Sequence, residues 1–262
     1  MKTSLWLSVD PLAEKYPNIS PYAYCANNPI IFKDPDGRDI VYFDVMGNEL
    51  ANKRVVSNKV FQTHIARDKE NTSFSQVPMP NVIQERTQSG EDVSGSEYQE
   101  NDYIISARTG LFNQTKNAGL LQLYTEGGDA IPKDEASKIP DLDPTLVKAI
   151  ATQESHNGTT GVADIMTANG VGSDFKPFKT KYGLSKTESL NVNRSLYLGI
   201  RFLATKGFRS GVTYDKKTGA KTYTFQGWNT ATGNYNGGGV EGYQGYVETM
   251  VDDSKKATPT DH

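Results

Sequence analysis

The sequence predicts an α+β chain: a predominantly α-helical catalytic-type domain with a small inserted hairpin, preceded by a loop- and strand-rich stretch. Two helical patterns and one crowded N-terminal segment carry this expectation. Leu146, Val147, Ile150 and Ala151 recur at the spacing of one helix face, and Leu196, Ile200, Leu203 and Ala204 do the same within "NRSLYLGIRFLATKG". Residues 1–40, by contrast, are dense in proline, asparagine and tyrosine, which forbids long helices there. The expected division is a turn-rich segment over 1–40, a hairpin and polar spacer over 41–101, a helical domain over 102–253 and a flexible tail over 254–262.

In chain order, "DPLAEKYPNISPYAYCANNPIIFKDPDGRD" reads as short strands and turns, with Asp-Pro and Asn-Pro opening turns and Asp36-Gly37 closing one. The following "DIVYFDVMGNEL" alternates Ile40, Tyr42 and Val45 about Met46-Gly47-Asn48, a hairpin pattern. Residues 66–101 are polar, with prolines and Ser-Gly breaks, and read as a linker or poorly packed spacer. Asp143 followed by Pro144 is an N-cap with proline at the first helical position. Continuing the step from 146 to 150 lands on Glu154, so a carboxylate shares the apolar face at the helix end, which Asn157 and Gly158 terminate. The next long helix opens at Asn193 and stops at Gly207, and "VTYDKKTGAKTYTF" alternates about a turn as a charged hairpin.

Composition narrows the chemistry. The 262-residue chain has 36% hydrophobic and 23% charged residues and a net charge of -3, with no basic stripe that would mark nucleic acid as a partner. No apolar run approaches the roughly 18 to 20 residues that cross a bilayer, so no membrane insertion is expected, and Asp10 and Pro11 interrupt any signal-peptide apolar region. The lone Cys25 cannot form an intrachain disulfide and reads as a packed small hydrophobe. His64, His156 and His262 are scattered, so neither a metal nor any other cofactor is expected.

Glu154 is the residue with the most chemical content. A carboxyl among apolar neighbours at a helix C-terminus is costly to ionise, so its pKa should rise and make it a proton donor near neutrality. Glycoside cleavage needs such a donor, because the leaving sugar oxygen must be protonated as the bond breaks. A charged residue at the end of an amphipathic helix can also simply reach out to water. Periodicity alone leaves both readings open.

Two resemblances sharpen this picture. "DP" followed by "SPYAYCANNP" and "DPDG" resembles the end of the Rhs repeat-associated core, over about residues 6 to 38. The resemblance implies that the residues beyond about 40 are a variable C-terminal toxin domain, carried by an Rhs shell and delivered by a secretion machine such as the type VI system. It also maps the family's two self-cleavage aspartates onto Asp10 and Asp34. Their accompanying arginine has no counterpart in the sequence, so turn formation is the expected role of both.

"LDPTLVKAIATQES", then "GVADIMTANG", then "WNTATGNYNGGGVEGYQGYV" resemble, in order, the catalytic helix, the "GLMQ" segment and the "AYNxG…Y…YV" segment of lysozyme-like lytic transglycosylases. This resemblance implies a lysozyme-like fold over about residues 140 to 251. Glu154 matches the catalytic acid and Ser155 the serine that orients substrate or acid. Met166 matches the methionine of the cleft floor, and Tyr235 and Asn236 the pair lining the site. Thr167 replaces the customary glutamine, and Asp164 stands where glycine is usual. Goose-type lysozymes of the same superfamily place aspartates downstream of the acid, so Asp164 or Asp174 is a candidate second carboxylate, with turn formation as the alternative. Hydrolase and transglycosylase chemistry both stay open.

Together the resemblances imply an antibacterial toxin tip that acts in the target-cell periplasm, with peptidoglycan as substrate and a cognate immunity protein as partner. The alternatives are an inactive lysozyme-like peptidoglycan-binding module and an intracellular toxin such as a nuclease.

Overall fold

A computed structural model describes residues 39–40, 42–43, 55–56, 61–68, 71–168, 175–237 and 239–256, with side chains from residue 78 onward except those of 175–177. The chain forms two compact units, one comprising residues 1–79 with 259–262 and the other Pro80–Thr258.

In the first unit, β1 (Asp39–Ile40) pairs antiparallel with β3 (Val55–Val56), while β2 (Tyr42–Phe43) runs parallel to β4 (Phe61–Asp68). The antiparallel register Asp39↔Val56 and Ile40↔Val55 is centred between Gly47 and Asn48, in keeping with the hairpin expected about Met46-Gly47-Asn48, whose turn lies outside the described residues. β5 (Asn71–Val77) completes an antiparallel hairpin with β4 in the register Phe61↔Val77. The supposed spacer thus begins with a strand pair.

The second unit is helix-rich. β6 (Glu85–Arg86) and β7 (Glu91–Asp92) form a short antiparallel hairpin, followed by a 3-10 turn at Ser96–Gln99 and α1 (Asp102–Asn117). β8 (Leu123–Tyr124) and β9 (Ala130–Ile131) pair before α2 (Lys133–Ser137). α3 (Pro144–Ser155) leads through a 3-10 turn at His156–Gly158 towards α4 (Phe175–Lys181) and the long α5 (Val192–Phe208). β10 (Val212–Tyr214) and β11 (Lys221–Tyr223) make the expected inserted hairpin, and α6 (Trp228–Tyr235) and α7 (Tyr243–Lys256) close the unit. None of the described helices is long and apolar enough to cross a membrane.

Residues 80–101 belong to this unit, which corrects their assignment to a spacer. Ile83 and Val93 are 0% and 1% exposed and join the same core as Ile105, Val147, Ile150 and Leu203. Two apolar anchors suffice to dock a segment that is otherwise polar. Asn81 fastens it further: its backbone N–H donates to Thr145 Oγ1 at 3.0 Å, and its side chain donates to Ser254 Oγ at 3.3 Å.

α3 is the centre of the unit. Asp143 caps it as expected, accepting from the Thr145 N–H at 2.8 Å, with Pro144 at the first position. The helix is not amphipathic: every residue from Pro144 to Ser155 is buried except Glu154. A helix enclosed on all sides must pair its polar residues internally, and Lys148 meets Asp102 of α1 at 2.8 Å. The cap of α5 lies two residues before the expected one: Asn191 accepts from the Arg194 N–H, while Asn193 lies inside the helix and accepts from Arg108 Nε.

Candidate active site

Glu154 is the one residue of the buried helix that emerges, half-buried, immediately before the chain reverses. His156 and Asn157 adopt left-handed backbone angles of 53° and 52°, and Gly158 follows at 85°. A side chain on Gly158 would meet Ile165 at 3.0 Å and Asn101 at 3.1 Å, so the sharp return needs glycine there. Asn157 locks the turn: its side chain donates to Tyr98 O at 2.7 Å, and its carbonyl accepts from Asn101 Nδ2 at 2.7 Å.

The return brings residues 164–168 beside the helix end, where three helices hold them. Ser155 Oγ, at the end of α3, lies 2.9 Å from Ile165 O and 3.0 Å from Ala151 O. Ser195 of α5 donates to Asp164 Oδ1 at 2.6 Å and accepts from the Met166 N–H at 2.9 Å. Tyr235 of α6 donates to Met166 O at 2.6 Å. Met166 itself is fully buried against Gly199, where an added Cβ would stand 2.5 Å from the methionine Cβ. Such a segment cannot shift without leaving buried polar atoms unpaired.

Within this frame Glu154 Oε1 accepts a 2.6 Å hydrogen bond from the Tyr243 hydroxyl of α7, and the Thr167 side chain also bonds the carboxyl. Burial, joined by the nearby Asp164 charge, pushes the carboxyl above its ordinary value of 4.5, against those two hydrogen bonds and the Arg86 guanidinium. The upward direction expected from the sequence is present, with burial as its largest cause. Burial and the neighbouring Glu154 push the Tyr243 phenol strongly upward, so it stays a donor. With the phenol donating to Oε1, an acid proton on Glu154 sits on Oε2.

The sequence-derived residues separate by what they touch. Thr167 is exposed, sits at a left-handed φ of 48° and meets the acid directly. Asp164 lies near enough to Glu154 and Tyr235 to raise both, and its Oδ1 also accepts from the Ala168 N–H at 2.9 Å, so it builds the turn as well. Ser155 and Met166 are buried and Tyr235 has its hydroxyl engaged by a carbonyl, so these three shape the site from behind. Asn236 directs its amide to Val240 O at 3.4 Å and holds the turn after α6. Asp10, Asp34, Cys25 and Asp174 lie outside the described residues.

Tyr243 and Arg86 are the neighbours that sequence reasoning missed. Tyr243 stands within the "GYQGYV" stretch and could have been singled out by its spacing before Val247, but its partner is 89 residues away. No cluster of three His, Cys, Asp or Glu side chains that could hold a metal occurs among the described residues. An open cavity of about 250 Å³, lined by Thr125, Glu126, Thr205, Phe208, Arg209 and Val212, lies apart from Glu154 and brings no acid–base pair together. No family model, curated protein or solved structure matches the chain significantly.

Proposed function

We propose that Pro80–Thr258 is a lysozyme-like domain that cleaves the β-1,4 bond between N-acetylmuramic acid and N-acetylglucosamine in peptidoglycan, as the toxin tip of an Rhs-type carrier. The observation that carries this reading is Glu154: the single emerging residue of a buried helix, with a raised carboxyl and one oxygen held by a phenol that stays protonated. A carboxyl biased towards its protonated form and presenting a defined oxygen is what protonation of a glycosidic oxygen requires.

The reaction is written with one acid. Glu154 donates its proton to the bridging oxygen, the C1–O bond breaks, and the N-acetylglucosamine side leaves as an alcohol. The muramic C6 hydroxyl then attacks its own C1 and returns its proton to Glu154, closing a 1,6-anhydro ring without consuming water. The two donors to Asp164 Oδ1 support this form, since they tie one of the two candidate second carboxylates to the turn. Delivery to a rival periplasm and neutralisation by an immunity protein in the producer belong to the same proposal.

The test is digestion of purified sacculi by the chain and by Glu154→Gln, with the soluble fragments resolved by mass spectrometry. Anhydro-muropeptides from the wild type alone are expected. Reducing-end products would replace the one-acid scheme with hydrolysis, and equal release by both proteins would remove Glu154 from the chemistry. Binding to sacculi without any release would instead mark an inactive binding module.

A further inference from the structure

Arg86, on the β6–β7 hairpin, grips the end of α3 on both sides of Glu154. Its Nη2 donates to Gln153 O at 3.0 Å, and its Nη1 bonds His156 Nε2. Gln153 O is one of the last carbonyls of the helix, which lack intrahelical partners, so a cation there satisfies an orphan acceptor and offsets the negative helix end. The hairpin is itself anchored to the two helices that build the acid site. Gln88 Oε1 accepts from Gln153 Nε2 of α3, and Thr87 Oγ1 donates to Tyr246 O of α7 at 3.3 Å, one turn from Tyr243. Behind Arg86, Glu91 accepts from the Tyr98 hydroxyl at 3.0 Å and lies 3.6 Å from His156 Nε2.

We propose that Arg86 is a positioning residue for Glu154, a role that rests on reading Glu154 as the proton donor: its guanidinium clamps the last helical turn and stands as a fixed positive charge behind the acid. The planar fork is what allows one side chain to reach the residue 153 carbonyl and the residue 156 ring at once, and a lysine ammonium keeps the charge without that span. The groups facing Glu154 are Tyr243 from α7, Tyr235 from α6, Asp164 and Thr167 from the turn, and Arg86 from the hairpin. Among the described residues Arg86 is the one cation that acts on the carboxyl, and it opposes the upward push of burial and Asp164.

The experiment compares the full chain with Arg86→Gln and Arg86→Lys by carboxyl carbon-13 NMR titration of Glu154, assigned with Glu154→Gln, and by the pH profile of muropeptide release. Arg86→Gln should move the Glu154 titration and the alkaline limb of the rate upward, while Arg86→Lys leaves both near the wild-type position. Both variants should lower kcat by about tenfold or more with little change in KM, because small displacements of a reacting group are costly. A purely structural arginine would lower the melting temperature without moving the titration. An unmoved titration in Arg86→Gln, or a wild-type kcat in Arg86→Lys, overturns the role, and the lysine variant decides alone should the glutamine variant not fold. Failure of the glycan reading looks different: the wild type releases nothing, yet the Glu154 titration still shifts in Arg86→Gln.

Discussion

Replacing Lys148 by methionine isolates the ion pair that joins α1 to the centre of α3. Lys148 Nζ lies 2.8 Å from Asp102 Oδ2, and the two side chains are 1% and 7% exposed. Burial is the largest influence on each partner: it raises Asp102 to about 6 from 3.8 and lowers Lys148, with mutual attraction opposing both shifts. Asp102 Oδ1 is also buried without a partner. The pair is therefore costly to break and contributes little beyond what apolar packing would.

Lys148→Met should destabilise the unit by about 3 kcal/mol at pH 7, near the low end for losing one buried partner, because Asp102 can take up a proton instead of staying charged. Lys148 holds Asp102 down, so without it the carboxyl titrates above the wild-type value of about 6, and the penalty for ionising it is greatest above that higher pH. The penalty relative to the wild type should shrink as pH falls, by about 1.4 kcal/mol per unit, until near pH 6 the wild-type Asp102 takes up its proton as well. The double variant Asp102→Leu, Lys148→Met should recover wild-type stability or exceed it by about 1 kcal/mol or more. Urea unfolding followed through Trp228 fluorescence in a Trp6→Phe background, at pH 7 and pH 5, measures all three. A single-variant loss below about 1 kcal/mol, or a double variant as weak as the single, would refute the reasoning.

Tyr243→Phe removes the donor to Glu154 Oε1, and should lower kcat at least about tenfold and move the alkaline limb of the rate upward, at a stability cost of about 1 kcal/mol measurable by melting. Thr167→Gly releases a β-branched residue from a left-handed backbone. It should leave stability unchanged or raise it by up to about 1 kcal/mol while activity falls, a split read from melting and muropeptide release on one sample. A chain starting at Pro80 should fold, whereas one starting at Asp102 should not, as judged by cooperative thermal unfolding. The shorter chain loses Ile83 and Val93, each worth about 1.5 to 3 kcal/mol of burial, a large share of a typical total stability of about 5 to 15 kcal/mol.

What the sequence alone determined was local. Asp143, Pro144 and the Asn157-Gly158 stop define α3 because caps and breakers act within a turn of the backbone they terminate. Leu196, Ile200 and Leu203 locate α5, and alternation about the Lys-Lys-Thr-Gly turn locates the β10–β11 hairpin, because periods of 3.6 and 2 are properties of short stretches. Glu154 itself was legible as a carboxylate in an apolar phase.

Only the tertiary structure decided what surrounds that carboxylate. Nothing in the order of residues announces that Tyr243 donates to Glu154, that Arg86 grips the end of its helix, or that Lys148 is enclosed with Asp102. Residues 80–101 looked like spacer because their composition is polar, yet Ile83 and Val93 dock them as part of the core. The physical reason is common to all of these: periodicity reports which face of an element is apolar, whereas a buried polar group is matched by whichever distant partner packing brings within hydrogen-bond reach.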